Sequence, residues 1–133
     1  MASKSMFILL TSKLEACLVE GTSVSESGLT VSTETFPGET ILFFHIDCNE
    51  GRQGLNMMEG SLKICDYLVF YTNNNQFREF ICLLELKGKK LEDAVKQVIS
   101  THQQIRAISK EEVDRQQHQY ISWKVCICMH GQA

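Results

Sequence analysis

The chain has 133 residues, 44% of them hydrophobic, with 13 Lys and Arg against 16 Asp and Glu for a formal charge of -3, and its mean hydropathy is -0.10. That suits one domain spanning residues 1–133 with an apolar core of its own, and excludes both disorder away from the chain ends and a miniature that needs disulfides or a structural metal to fold. The acidic balance also excludes a protein that grips a long nucleic-acid tract through bulk positive charge.

Residues 3–20 place Phe7, Leu10, Leu14, Cys17 and Leu18 at spacings of three and four, which predicts an amphipathic helix stopped by Gly21. The apolar run Met6 to Leu10 is too short for a signal peptide or a membrane span, so a soluble cytoplasmic protein without membrane contact is expected. Residues 22–28 read as loop or the start of an edge hairpin, and Leu29 to Phe36 as an outer strand ended by a turn at Pro37-Gly38. Thr40 to Ile46 is a firmer strand, apolar on both sides as a covered strand is, with His45 a core or edge histidine at its end. From Asp47 to Ser61 the apolar period lapses among Gly51, Gly54 and Gly60, which predicts a connecting loop; Arg52 and Glu59 on it are either substrate contacts or ordinary surface residues.

Two apolar runs, Ile64 to Tyr71 and Phe77 to Lys87, flank Asn73, Asn74 and Asn75 and read as a hairpin. Three charges interrupt it: Asp66 on the first strand, Glu85 and Lys87 on the second. Burying them without partners costs several kcal/mol each. A loop of even length, such as a tight turn at Asn75-Gln76, puts Asp66 directly opposite Glu85 on one face; an odd loop separates them. Facing carboxylates repel unless a divalent cation lies between them with an ammonium nearby. The opposite face, Cys65, Tyr67, Val69, Phe80, Cys82 and Leu84, is also apolar, so helices are expected over both faces of the sheet.

After Gly88 and the basic pair Lys89-Lys90, a helix is predicted from about Leu91 to Ile105, with a stripe of Leu91, Ala94, Val95, Val98, His102 and Ile105 and with Gln97 at its margin. Residues 106–119 are polar and read as a short exposed helix or loop. Tyr120 to Met129 is a last strand with Trp123, Val125 and Ile127 on one face. The six cysteines, at 17, 48, 65, 82, 126 and 128, lack CxxC spacing and sit mostly within apolar runs, the habit of free thiols in a reducing compartment; Cys126 and Cys128 share a strand face, which leaves zinc as a minor alternative for them.

Asp66, a hairpin, Glu85-Leu86-Lys87-Gly88 and then a helix carrying Ala94 and Gln97 together resemble the PD-(D/E)XK nuclease superfamily, the restriction endonuclease-like group, and most closely its Holliday junction resolvase-like and RecB-like branches. Cys65 stands where the motif has Pro. The resemblance implies an α/β fold with a restriction endonuclease-like αβββαβ core, a mixed central sheet flanked by helices on both faces. It further implies a nuclease that hydrolyses phosphodiester bonds, structure-selective or non-specific, with Mg2+ or Mn2+ held by Asp66 and Glu85. Gln97 would join the catalytic set, and Lys87 would stabilise developing negative charge; a general-base role for Lys87 is opposed by its anionic neighbours. A third carboxylate would come from Glu15, Glu50 or Glu59. Lys63, Lys89 and Lys90 form a local basic rim for substrate phosphates. The implied partners are nucleic acid, DNA more often than RNA, and a second copy of the chain or another subunit. Two other readings stay open: a catalytically silent binding or regulatory module on the same fold, and a structural protein whose Asp66, Glu85 and Lys87 form a buried ion network.

Overall fold

Twenty-two residues, Leu91–Glu112, form the longest element of the fold, helix α3. The computed structural model describes residues 5–26, 28–58, 63–73, 78–87 and 90–129, with Lys87 and Met129 described by their backbones alone. Glu92 and Asp93 lie in the first turn of α3 and Lys110 in its last, each complementing the helix dipole at its end. The 3.6-residue period turns Ala94, Val98, Thr101, Ile105 and Ile108 inward. The helix therefore runs two turns beyond the predicted stop, because Ile108 continues the buried stripe. Leu91 and Val95, expected on that stripe, are instead 55% and 39% exposed.

Helix α1, Met6–Lys13, is shorter than predicted. Ser5 caps it, its hydroxyl accepting from the Ile8 N–H at 3.2 Å. Its buried residues are Met6, Leu9 and Leu10; of the expected face Leu10, Leu14 and Cys17 are buried, while Leu18 is 49% exposed and Phe7 is 42% exposed with its ring 6.0 Å from that of Phe70. A 3-10 turn, Glu15–Cys17, then leads directly into a two-residue strand, β1, Leu18–Val19.

Strands β2 (Ser23–Glu26) and β3 (Leu29–Ser32) form a separate antiparallel hairpin. Strand β4 is Glu39–His45, entered through the predicted turn, where Gly38 takes a φ of 89°. Strands β5 (Tyr67–Asn73), β6 (Glu79–Lys87) and β7 (Ile121–Met129) complete a five-stranded sheet in the order β1-β4-β5-β6-β7. All its pairs are antiparallel except β6 with β7, so the sheet is mixed, and α3 with the 3-10 turn Arg115–Tyr120 makes the crossover between those two parallel strands.

The expected loop after β4 contains a short helix, α2, Asn49–Gly54. Its glycines, which suggested a break in structure, permit close packing instead: a Cβ on Gly51 would lie 2.0 Å from the Ile46 carbonyl oxygen, and one on Gly54 would lie 2.2 Å from that of Lys13.

Among the described residues, helices cover only one face of the sheet, contrary to expectation. One core joins Met6, Leu9 and Leu10 of α1 and Val98, Ile105 and Ile108 of α3 to Phe44, Leu68, Phe70, Ile81 and Leu83 of the sheet. On the other face, Phe43, Tyr67, Leu84 and Leu86 are covered by the β2–β3 hairpin through Val24, Leu29 and Val31. Alternation along the hairpin puts those three apolar side chains on one side, so it supplies the cover a helix would have given. The Tyr67 hydroxyl anchors it, 3.2 Å from the Ser25 carbonyl and 3.4 Å from the Glu26 carboxylate.

Candidate functional site

The β5–β6 register settles whether the two acids can meet. Tyr67 pairs with Leu84 and Thr72 with Glu79, so an even number of residues separates the strands and the ladder, continued one step past Tyr67, brings Asp66 opposite Glu85. The tight turn expected at Asn75-Gln76 lies outside the described residues. Both acids are on the helix-covered face, in line with Leu68 and Phe70 on one strand and Leu83 and Ile81 on the other.

Each carboxylate reaches across to the backbone of the other's strand. The Asp66 N–H donates to Glu85 Oε1 at 3.0 Å, and the Leu86 N–H donates to Asp66 Oδ2 at 2.8 Å. The Asp66 carbonyl in turn accepts from the N–H groups of Ile46 and Asp47 at 3.0 and 3.4 Å, which ties the acid to the end of β4. Both side chains are buried, Asp66 at 7% exposure and Glu85 at 0%. Charge-assisted bonds of this kind offset part of the cost of removing carboxylates from water.

Helix α3 holds the segment that delivers Asp66. The Gln97 Nε2 donates to the Ile64 carbonyl at 3.2 Å. One turn on, Thr101 accepts from the Cys65 N–H at 2.9 Å and donates to the Gln97 carbonyl at 2.7 Å. The Gln97 Oε1 is buried and receives no hydrogen bond among the described residues. Gln97, expected in the catalytic set, touches the backbone leading to Asp66. Thr101 was missed, although its place four residues after Gln97 puts it on the same side of the helix.

The acids' charge is felt by their neighbours. Burial, together with the fields of Glu85 and Asp66 and against a hydrogen bond from Thr101, pushes the Cys65 thiol up to about 12. Burial, Glu26 and Asp66 push the Tyr67 hydroxyl up to about 12. Burial thus favours the neutral thiol and the neutral phenol beside the acids.

The remaining expected residues are more scattered. Lys63 is exposed just before Ile64, and Lys90 is exposed at the start of α3. Lys87 lies on β6 opposite Met129, but its side chain, like Lys89 and Glu59, lies outside the described residues. Glu15 is exposed on the 3-10 turn and lines a hollow with Ile8, Thr11, Ser12, Leu18 and Phe44; Glu50 is exposed on α2, where its charge acts on Cys17. Neither joins the acid pair, and among the described residues no three His, Cys, Asp or Glu side chains converge as metal ligands, so the expected third carboxylate is not found in Glu15 or Glu50. Arg52 bonds Asp47 and the Met57 carbonyl, each at 3.4 Å, and so braces its own connection. His45 packs on the Tyr67 ring with centroids 5.1 Å apart, an edge histidine as expected. Cys126 and Cys128 lie 3.7 Å apart, sulfur to sulfur.

No helix among the described residues is long and apolar enough to cross a membrane. Comparison with protein-family models, curated proteins and solved structures finds no match.

Proposed function

We propose that this protein is a metal-dependent nuclease that hydrolyses phosphodiester bonds, in DNA more readily than in RNA. The observation that carries this reading is the pairing of Asp66 and Glu85 from neighbouring antiparallel strands on one face, each locked by the other strand's backbone. The element order supports it too: with β1, β2, β3 and the short α2 set aside as additions, helix α1, antiparallel strands β4-β5-β6, helix α3 and then β7 parallel to β6 follow the αβββαβ order that the resemblance implies.

The donor set fits Mg2+ or Mn2+. These are hard cations that take carboxylate oxygens, and Mg2+ is commonly held by one or two carboxylates with water and substrate phosphate making up the rest, so a pair of acids suffices. Asp66 and Glu85 would hold the ion, which when bound acidifies a water and stabilises negative charge on the phosphate. The chain's own residues do the positioning. The Leu86 N–H and Asp66 N–H fix the two carboxylates, while Gln97 and Thr101 hold residues 64 and 65 so that Asp66 cannot swing away. Lys87 would add positive charge from the same strand, and Lys63, Lys89 and Lys90 are the residues that the resemblance assigns to the flanking phosphates.

The near-complete burial of the acids favours a second reading, in which the same fold binds without turnover and the two carboxylates serve as clamps on the strand ends. Nicking of supercoiled plasmid with Mn2+ separates the two. Asp66→Asn and Glu85→Gln keep an oxygen that accepts the backbone N–H but remove the charge. Loss of metal-dependent nicking in both variants, with folding intact, is the expected result; nicking that persists in both, or that is lacking in the unaltered protein, overturns the nuclease reading.

A further inference from the structure

The far end of α3 carries a group of cations that the acid pair does not use. Arg106 and Lys110 from its last turns, with Arg115 and His118 from the following 3-10 turn, line one cavity of about 550 Å³. Among the described residues no carboxylate lines it, although the chain as a whole is acidic. A second hollow of about 670 Å³ shares Arg106 and Lys110 and adds His102, Gln103, Ala107 and Glu111, so the two long cations stand as a ridge between adjoining hollows.

Glu111 lines the adjoining hollow with Arg106 and Lys110, whereas the two next acids are committed elsewhere. Glu112 pairs with Lys13 of α1 at 3.0 Å, and Asp114 turns back to accept from the Gln116 N–H at 3.0 Å. Among the described residues no ion pair involves Arg106, Lys110 or Arg115, all of them exposed, in contrast to Lys13 and Arg52. The Arg106 charge is felt locally: burial first, and that guanidinium second, hold His102 below its ordinary range. The helix dipole accounts for a cation or two in the last turn of α3. It does not account for Arg115 and His118, which lie beyond the helix and are brought back to the same cavity by the buried corner at Val113.

We propose that this basic cavity is a binding site for the phosphate backbone of a nucleic acid, separate from the Asp66–Glu85 pair. Several basic side chains converging on one concavity, with no carboxylate among its described lining residues, suit closely spaced phosphates, and Arg in particular presents a fork of donors to them. Arg106 and Lys110 lie nine and thirteen residues beyond Gln97, roughly 14 and 20 Å along the helix and about half a turn round it. The cavity is therefore a second contact, not an extension of the rim at Lys63 and Lys90. The choice of nucleic acid over another polyanion rests on the nuclease reading above; the cavity's chemistry does not.

The test is fluorescence anisotropy with labelled DNA, single strand and duplex, in EDTA so that no divalent ion contributes. The full chain is compared with the combined variant Arg106→Glu, Lys110→Glu, Arg115→Glu and with a control variant Lys63→Glu, Lys90→Glu. Thermal unfolding shows whether each variant is folded, and all five positions are exposed. The expected result is at least a tenfold loss of affinity in the first variant, with a shallower dependence of log affinity on log salt by about two to three units on duplex, as loss of three phosphate contacts requires. Unchanged affinity and salt slope in that variant, or no binding by the unaltered chain at low salt, overturns the inference. Binding that depends on the cavity while nicking is lacking leaves this inference standing and removes the nuclease reading.

Discussion

Asp66 and Glu85 are joined through each other's backbones: the Asp66 N–H bonds the Glu85 carboxylate at 3.0 Å, and the Asp66 carboxylate bonds the N–H of Leu86, the residue after Glu85, at 2.8 Å. This reciprocal latch closes the open end of the β5–β6 hairpin. It gives each acid a structural duty alongside any chemical one, and the two are separable by substitution.

Alanine at either position removes an acceptor and leaves a buried N–H without a partner. Asp66→Ala or Glu85→Ala is predicted to cost about 2–3 kcal/mol in urea unfolding. Asp66→Asn and Glu85→Gln retain an accepting oxygen and are predicted to cost less than half as much. Equal losses for the alanine and amide variants would show that charge, not the latch, stabilises this end of the hairpin.

Gln97 and Thr101 are predicted to act through the segment they hold. Thr101→Val keeps the shape but strands the buried Cys65 N–H, at a cost of about 1–3 kcal/mol, whereas Gln97→Ala frees the Ile64 carbonyl and costs about 1 kcal/mol. Both variants are predicted to weaken Mn2+ binding in calorimetric titration, since Asp66 is less firmly placed. Stability loss with unchanged Mn2+ affinity would make the clamp purely structural.

Stability is predicted to fall in alkali. Cys65, Cys17 and Tyr67 are each raised to about 12, chiefly by burial, so the folded state holds these protons more tightly than the unfolded chain does. Their contribution is complete below the unfolded values near 9 to 10 and is lost as pH rises towards 12. Thermal melts from pH 8 to 11 measure it. A flat profile, or one that Cys65→Ala leaves just as steep, would contradict the assignment.

The close approach of α2 makes its glycines intolerant. Gly51→Ala and Gly54→Ala each drive a methyl group into a backbone carbonyl and are predicted to cost about 3 kcal/mol or more by urea unfolding. Gly21, with nothing within 4 Å of an added Cβ but a φ of 88°, is predicted to cost less.

What the sequence made legible was the part governed by short periods. Alternation was enough to place β4, β5, β6 and β7, but it left Asp66 opposite Glu85 only for a loop of even length, and the register of the folded sheet decided that. That Met6 and not Phe7 turns into the core was not legible, because both are apolar and only the docking surface decides between them. Nor was Thr101, whose hydroxyl is buried to bond a backbone group on another element, while His102, expected on the stripe, is half-buried with its ring 4.7 Å from that of Trp123. Gly51 and Gly54 misled for a related reason: glycine in a sequence signals a break, yet here it marks backbones in contact. The β2–β3 hairpin over the second face follows from long-range packing, which local alternation leaves open. The direction of the two carboxylates, towards backbone N–H groups, likewise follows from assembly of the whole sheet end.

The central claim is that Asp66 and Glu85 together hold a divalent cation. A crystal of the protein soaked in Mn2+ tests it most directly, by anomalous scattering. The account predicts a manganese peak between the two carboxylates, within bonding distance of an oxygen from each. A map with no peak there, both carboxylates still bonded to Leu86 and Asp66 backbone N–H groups, would contradict it.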